Sequence, residues 1–518
     1  MRIAILFFIL ALNISTLWGQ NTFSQRFHFG FSAAALTNLV ETDSAYFILG
    51  VIADSVPPHK ESNLFLKASL EGEILIAKTL RDTAKSYETW FGNMAFNSKG
   101  QLVASGYSFD STTKSLLLLF STEGDTILTG ENPHPNYPAV RGVLNRDFEV
   151  VSDGYLLINE INNPDGTGDT DMELLKLDTA GQKLWSRTFG ITSRDDTPYN
   201  VIATTGGYII ASIRDNTNVA HQNIEARNHI FKINEAGEVL WEYFSPSGEL
   251  RGKEGRAIAT SDGGLLVLTG QGIEAPAGPG FSQLRWHNYA FKLDSSRHEE
   301  WGVLVRDSFQ AISYNNQLTS GIEVQDGSGY AVAGNLIEGT PEDGLYFDGV
   351  LAKISSDGVL LWKRYYQHIP SQNTRHYIND LAQAPDGGFI MVGEVRDTIN
   401  APRQQGWLLK VDEYGCLVPG CELVNSVEEP QTGGDAKVNL LLYPNPVGEQ
   451  LQLYFSAEES AEYAFRILDA QGREWRRFET QLPEVTLMVD VGELPGGVYF
   501  LQCLKEGNVV QVERFVKQ

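Results

Sequence analysis

The sequence predicts an all-β protein: a ring of seven four-stranded blades, a β-propeller, followed by a small C-terminal β-sandwich. Three observations predict it. One phrase of residues returns seven times at nearly even spacing, and each return breaks into four short strand-forming runs. After Cys421 the composition shifts, and a second block of alternating apolar and polar residues begins. The 50 glycines and 11% aromatic residues agree, since aromatics suit strands and glycines suit the turns between them.

The amino terminus comes first. Arg2 gives a short positive start, Ile3 to Leu12 an apolar stretch, and Gly19-Gln20 a cleavage point. This run is too short to span a bilayer, so residues 1–19 read as a secretory signal peptide. Leu17 is bulky for its place before the cut, and no cysteine follows to make a lipoprotein anchor. The formal charge of −25 argues against a nucleic-acid partner, because phosphate binding needs a basic surface.

The repeated phrase occupies residues 20–421. It runs from an Asp-Gly or Gly-Gly turn through an apolar strand and a variable stretch. It ends in an apolar residue followed by Lys-x-Asp-x-x-Gly-x-x-x-Trp, with positions lost in some copies. Clear copies are Lys176 to Trp185, Lys232 to Trp241, Lys292 to Trp301 and Lys353 to Trp362, with Lys67 opening the series and Lys410 closing it. A weaker copy surrounds Leu119. From 67, 119, 176, 232, 292, 353 and 410 the steps are 52, 57, 56, 60, 61 and 57 residues, a period that marks repeat architecture. In the fourth copy Tyr199–Thr204, Gly207–Ile213, His229–Ile233 and Glu238–Phe244 read as four antiparallel strands. Turns such as Asp153-Gly154, Gly206-Gly207 and Asp386-Gly387-Gly388 tolerate the positive φ of tight hairpins. Four strands repeated in this way describe propeller blades.

The final unit ends in Cys416-Leu-Val-Pro-Gly-Cys421, a poor fourth strand because it contains proline. The segment Phe23 to Phe29 matches Trp185 to Phe189 in pattern, so it is expected to complete the last blade and close the ring. Cys416 and Cys421 read as a small disulfide loop, with two free thiols as the alternative. Trp185, Trp241, Trp301 and Trp362 hold equivalent positions, which points to packing of one blade on its neighbour rather than to catalysis. The phrase is similar to the tryptophan-docking repeat of quinoprotein dehydrogenase propellers. Those are eight-bladed with a cofactor pocket, and this chain has neither that count nor their adjacent cysteines.

Residues 422–437 are polar and read as a linker. Beyond them Val438–Tyr443, Leu451–Phe455, Tyr463–Leu468, Val485–Val489, Val498–Leu504 and Val509–Val516 alternate as strands of a β-sandwich over 438–518. The block carries Pro444-Asn445-Pro446 at its start, Gly472 after Leu468-Asp469, then Gly497 and Tyr499, and Lys517 near its end. In this order these motifs resemble the type A C-terminal sorting domain of the type IX (Por) secretion system of Bacteroidetes. The resemblance implies secretion or display at the outer cell surface, with that machinery as partner. It also implies tail removal and attachment to surface lipopolysaccharide.

Chemistry is sparse. There is no Gly-x-Ser-x-Gly, His-Glu-x-x-His or phosphate loop, so no catalytic residue is assigned. No cofactor is implied. Asp165, Asp169 and Asp171 alternate as calcium ligands do, but the glycine and the distal glutamate of such a loop are misplaced; a solvated loop is the leading reading. Topology says more. The first-to-second and third-to-fourth turns of each blade are short. The second-to-third turns and the blade connections, on the opposite face, are long and varied, as at Glu160–Thr170, Arg214–Arg227, Gln271–Asn288 and Leu336–Phe347. Binding residues favour such loops. The candidates there are Arg285, Trp286 and His287, then Tyr365, Tyr366 and His368, then Arg375 and His376. The expected function is binding of a glycan or protein on that face. A polysaccharide- or peptide-cleaving enzyme with its site at the channel is the first alternative, and a structural or adhesive envelope protein the second.

Overall fold

A computed structural model gives the fold, and the chain divides into two compact units, Met1–Pro419 and Gly420–Gln518. The structure describes residues 20–421 except 55, 57–58, 83, 134–142, 163–168, 192–193, 216–225, 279–280, 306–315, 341–343, 370, 372, 401 and 419–420. It also describes 438–517 except 444–446, 458–460, 470–472, 483 and 506–507. The signal-peptide assignment, residues 1–19, falls outside them.

The first unit opens with β1 (Phe23–Phe27). Blade 1 is β2 (Ala33–Glu41), β3 (Tyr46–Ala53), β4 (Glu61–Ala68) and β5 (Ile74–Leu80). Blade 2 is β6 (Ser86–Phe96), β7 (Leu102–Phe109), β8 (Thr113–Phe120) and β9 (Thr126–Asn132). Blade 3 is β10 (Val143–Val151), β11 (Gly154–Asn162), β12 (Thr170–Asp178) and β13 (Lys183–Phe189). Blade 4 is β14 (Asp196–Thr204), β15 (Gly207–Arg214), β16 (Arg227–Ile233) and β17 (Val239–Phe244). Blade 5 is β18 (Arg251–Ala259), β19 (Leu265–Gly278), β20 (Phe281–Leu293) and β21 (Glu299–Leu304). Blade 6 is β22 (Gln317–Glu323), β23 (Gly329–Thr340), β24 (Gly344–Ser355) and β25 (Leu360–Tyr366). Blade 7 is β26 (Thr374–Gln383), β27 (Phe389–Asp397) and β28 (Gln404–Val411), with β1 antiparallel to β28 as its fourth strand. The seven-bladed propeller is therefore closed by the amino-terminal strand, as the sequence pattern predicted.

The repeated phrase now has a physical account. In three copies its lysine is buried and turns back to the aspartate of the first hairpin turn: Lys176 bonds Asp153, Lys292 bonds Asp262 at 2.8 Å, and Lys410 bonds Asp386, whereas the half-buried Lys67 and Lys232 bond Glu123 and the Thr205 carbonyl. Its second polar residue caps the third-to-fourth turn. Asp178 Oδ1 accepts from the Ala180 and Gln182 amides, both at 2.8 Å, and Asp294 Oδ1 from those of Ser296 and His298 at 2.7 and 2.9 Å. The glycine that follows, such as Gly358 at φ +86°, occupies the left-handed region. A Cβ built there would lie 2.4 Å from Cγ of Trp301 in the preceding blade. Trp362 does the same, its Cζ3 lying 2.7 Å from a Cβ built on Gly415, so these two tryptophans pack on the next blade's turn. Blade 5 departs, with Arg297 at φ +69° and its guanidinium 4.5 Å from the Trp241 ring centre.

The apolar cores lie between blades. Phe47, Leu49 and Phe65 of blade 1 join Leu102, Ala104 and Leu118 of blade 2. Ile48 and Leu66 join Ile390, Val392 and Leu408 of blade 7, with Phe23 and Phe27 packed on the same cluster. The outermost strands carry the least buried residues, including Leu75, Leu184 and Leu240.

The second unit is a sandwich of two sheets. One orders β29 (Val438–Tyr443), β30 (Gln450–Ala457) and β33 (Glu484–Asp490). The other orders β32 (Glu474–Thr480), β31 (Tyr463–Asp469), β34 (Gly497–Lys505) and β35 (Asn508–Lys517). Leu453, Phe455, Phe465, Leu501 and Phe515 fill the space between them. The sequence reading omits β32, whose residues Glu-Trp-Arg-Arg-Phe-Glu-Thr offer no apolar alternation because this edge strand is almost wholly exposed. A second correction concerns Gln271–Asn288 and Leu336–Phe347. These are not loops but continuations of β19–β20 and β23–β24, paired as long hairpin ribbons.

Candidate functional site at the channel mouth

Each inner strand breaks register near its start, skipping one residue in blades 1, 3, 4, 6 and 7. Thr37, Arg146, Tyr199, Thr319 and Asn379 are the skipped residues. Strand β18 skips two, Gly252 and Glu254, and β6 skips Trp90 to Asn93. Such bulges re-aim side chains. In blades 3 to 6 they bring Arg146, Tyr199, Glu254 and Thr319 to one cavity.

The residue after the skip forms a belt. Asp147 Oδ2 accepts from the Val201 amide of blade 4 at 3.1 Å. Asn200 exchanges two bonds with Ala257 of blade 5, at 2.7 and 2.8 Å. Ser320 Oγ donates to Asp380 Oδ1 at 2.9 Å, and Asp380 Oδ2 accepts from the Leu39 amide of blade 1 at 2.9 Å. Asn379 Nδ2 adds a bond to the Leu36 carbonyl at 2.8 Å, so the belt crosses the closure point. These buried groups are satisfied only because neighbouring blades supply partners.

Above the belt, toward the blade connections, four successive inner strands enclose a cavity of about 210 Å³. Arg146, Tyr199, Glu254, Arg256, Gln317 and Thr319 face it. Arg146 is held by Glu160, with Nε at 2.8 Å from Oε2 and Nη2 on the same oxygen. Burial pushes the Glu254 carboxyl up, against the opposing charges of Lys253, Arg146 and Arg256 and a hydrogen bond from Gln317. Burial, then the nearby Glu254, pushes the Tyr199 hydroxyl well up, so it stays protonated and able to donate. Burial also raises Asp147 and Asp380 to about 6, and the Arg256 charge opposes the rise in both. Gly92 of the β6 bulge, at φ +68°, brings its backbone to Arg256: a Cβ there would lie 2.8 Å from Nη1. Blade 2 therefore reaches across the channel to the blade 5 guanidinium.

A second cavity, of about 190 Å³, lies between blades 7, 1 and 2, where Glu61, Glu88, Glu394 and Arg396 meet. Burial raises Glu88 to about 7; the Tyr107 hydroxyl bond opposes this and the adjacent Glu61 adds to it.

The predicted binding residues do not gather at one place. Arg285, Trp286 and His287 stand on β20, opposite Ile273, Gly272 and Gln271, with His287 buried. Gly270 makes room beside them: its built Cβ would meet Lys253 Cβ at 3.1 Å and Trp286 Cε3 at 3.3 Å. Trp286 thus flanks the residue next to Glu254. Tyr365 is exposed, with Lys363 Nζ 5.0 Å from its ring centre, whereas Tyr366 is buried and donates to the Gly415 carbonyl at 2.7 Å. His368 Nδ1 bonds Ser24 Oγ at 2.9 Å. Arg375 stacks on Phe347 at 4.3 Å. His376 is buried and accepts from the Ile369 amide at Nε2, 3.2 Å away, with Nδ1 3.1 Å from the Phe347 carbonyl; burial lowers it to about 4. Tyr366, His368 and His376 thus spend their polar atoms inside the fold.

Of the calcium candidates, Asp165 lies outside the described residues, Asp169 is buried and Asp171 stands on β12. Among the described residues no three His, Cys, Asp or Glu side chains gather as a metal would need. Cys416 and Cys421 are disulfide-bonded, and Cys503 is a buried free thiol. In the tail, Gly497 pairs with Lys517 across β34 and β35, and Tyr499 donates to the Pro495 carbonyl at 2.9 Å. Pro444, Asn445, Pro446 and Gly472 lie outside the described residues.

The cavity residues escaped the sequence reading, though a signal existed. An Asn or Asp recurs in five of the seven inner strands, at 38, 93, 147, 200 and 380.

Residues 441–518 match the family model of the secretion system C-terminal sorting domain, here of the type IX pathway. That tail marks proteins secreted and displayed at the cell surface, and this chain is one of them. No curated protein sequence matches the chain. Among solved structures it is similar to Drosophila Semaphorin 2a, at 7% identity and a TM-score of 0.47, covering 95% of this chain and 97% of that one. It is also similar to the NanB sialidase of Streptococcus pneumoniae, at 9% identity and TM-score 0.42, over 75% and 94% of the two chains. A protein of unknown function from Bacteroides caccae gives 14% identity and TM-score 0.33, over 52% and 81%. The fold stands on its own sheets.

Proposed function

We propose that the propeller is a surface-displayed binding module whose ligand, a glycan or a protein, enters the channel mouth on the long-loop face. In this reading the chain is exported by a Bacteroidetes bacterium after loss of residues 1–19, and its tail is exchanged for attachment to surface lipopolysaccharide. One observation carries the proposal: the bulges of four consecutive blades turn Arg146, Tyr199, Glu254 and Thr319 into a single cavity. A concave site with convergent polar groups is where a ligand is expected. A second reading has one supporting observation. Glu254, held toward its protonated form beside Tyr199, is the kind of group that serves as a general acid in glycoside cleavage. The test is incubation of the full chain with polysaccharides and peptides, following binding and products together. Binding without turnover supports the module; new reducing ends or amines replace it with the enzyme.

A further inference from the structure

We propose that the channel-mouth cavity takes one neutral sugar unit, the terminal residue of a glycan. The inference rests on the binding reading above and names its ligand class.

Charge comes first. The cations on the wall already have anions of the protein: Arg146 has Glu160, and Arg256 acts on both Asp147 and Asp380. A ligand carboxylate entering here would find both cations already engaged within the protein, so an acidic sugar gains little and loses its hydration. A neutral ligand meets no such cost.

Next is the character of the wall. The Tyr199 hydroxyl, the Gln317 amide, the Thr319 hydroxyl and the Glu254 carboxyl face the cavity within four adjacent strands. Thr319 Oγ1 donates to the Ile378 carbonyl at 2.7 Å, which leaves its lone pairs as acceptors. Donors and acceptors alternating at this density match a molecule bearing hydroxyls all round, and a site built this way rejects analogues that lack them.

Size and shape narrow the choice. A volume of about 210 Å³ is that of roughly seven water molecules, below the ~300–1,000 Å³ of sites for drug-sized ligands. One sugar ring fits; a longer chain must lie outside. A protein epitope needs a broad contact of ~800 Å² on each partner rather than a narrow well.

The experiment is saturation-transfer NMR and calorimetry of the full chain against neutral hexoses, N-acetylhexosamines, fucose, uronic acids and sialic acid. The expected result is saturable binding of at least one neutral sugar, with acidic sugars at least tenfold weaker. Gln317→Leu is expected to weaken that binding at least tenfold while the far-ultraviolet spectrum and melting temperature hold. The wild-type panel alone is a test, should a variant fail to fold. Acidic sugars binding as tightly, and lost in Gln317→Leu, would overturn the neutral-sugar inference and keep the channel-mouth site. A polysaccharide or protein ligand bound without any monosaccharide, and lost in Gln317→Leu, would do the same. Sugar binding indifferent to Gln317→Leu would overturn the inference and the site together.

Discussion

Phe23 stands opposite Lys410 in the β1–β28 ladder, the station that Trp185, Trp241, Trp301 and Trp362 hold opposite Lys176, Lys232, Lys292 and Lys353. Its ring also does what Trp301 and Trp362 do. A Cβ on Gly72, in the next blade's turn, would lie 2.8 Å from Phe23 Cζ. The first described strand is thus an ordinary fourth strand that arrives from the wrong end of the chain. Ser24 locks it, as its hydroxyl accepts from Trp407 Nε1 at 2.9 Å.

Removal of residues 20–29 should therefore open the ring rather than trim it. The deletion exposes the edge of β28, uncovers the cluster shared by Ile48, Leu66, Ile390 and Leu408, and leaves the buried Lys410 without the Asn21 carbonyl. A drop of many degrees in melting temperature is expected. Phe23→Ala alone should cost about 1–3 kcal/mol, since the ring is only partly buried. A thermal melt of the deletion that overlays the parent's would refute the closure role.

The turn glycines give a second prediction. Gly358→Ala meets two penalties: a left-handed φ of +86° and a Cβ 2.4 Å from Trp301 Cγ. The backbone penalty alone is about 1–2 kcal/mol. Trp301 also donates Nε1–H to the Ser356 carbonyl at 3.0 Å in the same turn, so the ring has little freedom to retreat. Gly100→Ala has a similar φ, +69°, and nothing within 4 Å. Denaturation midpoints should rank parent above Gly100→Ala, and Gly100→Ala well above Gly358→Ala. Equal losses in the two variants would remove the blade-packing account.

The repeat was legible because its work is local. Lysine, turn aspartate and cap lie within about thirty residues of one another, and tryptophan reads out as a period. The belt was not legible in the same way. Leu39 and Asp380 are bonded across 341 positions, and nothing near either residue announces the other. The ribbons of blades 5 and 6 were hidden for another reason. Gln271-Gly-Ile-Glu-Ala-Pro-Ala-Gly has the composition of a loop, yet its partner strand continues the ladder along it, with one register shift between Pro276 and Gly278. Candidate ligand residues read from supposed loops accordingly fell partly on strands, while the cavity was built from bulges no pattern names.

The lysine–turn pair predicts an asymmetry. Lys292 is fully buried and reaches Asp262, Glu300 and the Leu293 carbonyl, whereas the Asp262 side chain is half-exposed. Asp262→Ala strands a buried ammonium, and Lys292→Met removes the charge while filling the space; the first should cost more stability than the second. Asp262 is held down to about 2; burial opposes this, and bonds from Lys292 and Thr260 drive it. A depressed carboxyl contributes stability that is complete above its unfolded pKa of about 4 and lost as pH falls toward 2. The gap between parent and Asp262→Ala should therefore close on acidification over that window. A larger loss in Lys292→Met than in Asp262→Ala would sink this account.

The belt carboxylates predict the opposite slope. Asp380 is buried, and its folded pKa of about 6 lies above the unfolded value near 3.9. Between those values the folded chain holds the proton more firmly than the unfolded one, so stability falls as pH rises through the window. The shift corresponds to about 3 kcal/mol. Asp147 acts with the same sign, whereas His229 and His376, lowered by burial to about 3 and about 4, act against it by losing stability as pH falls below 6.5. The parent's pH profile is thus a partial cancellation, and the contribution of Asp380 emerges only as a difference. Asparagine at 380 has no charge to be penalised, so Asp380→Asn should gain on the parent from pH 4 to pH 7, whatever its fixed offset from the altered bonds to Ser320 and Leu39. Urea midpoints of both chains at pH 4.5, 5.5, 6.5 and 7.5 measure this directly. Parallel profiles would mean that Asp380 titrates normally, and that Arg256 balances the belt more fully than burial opposes it.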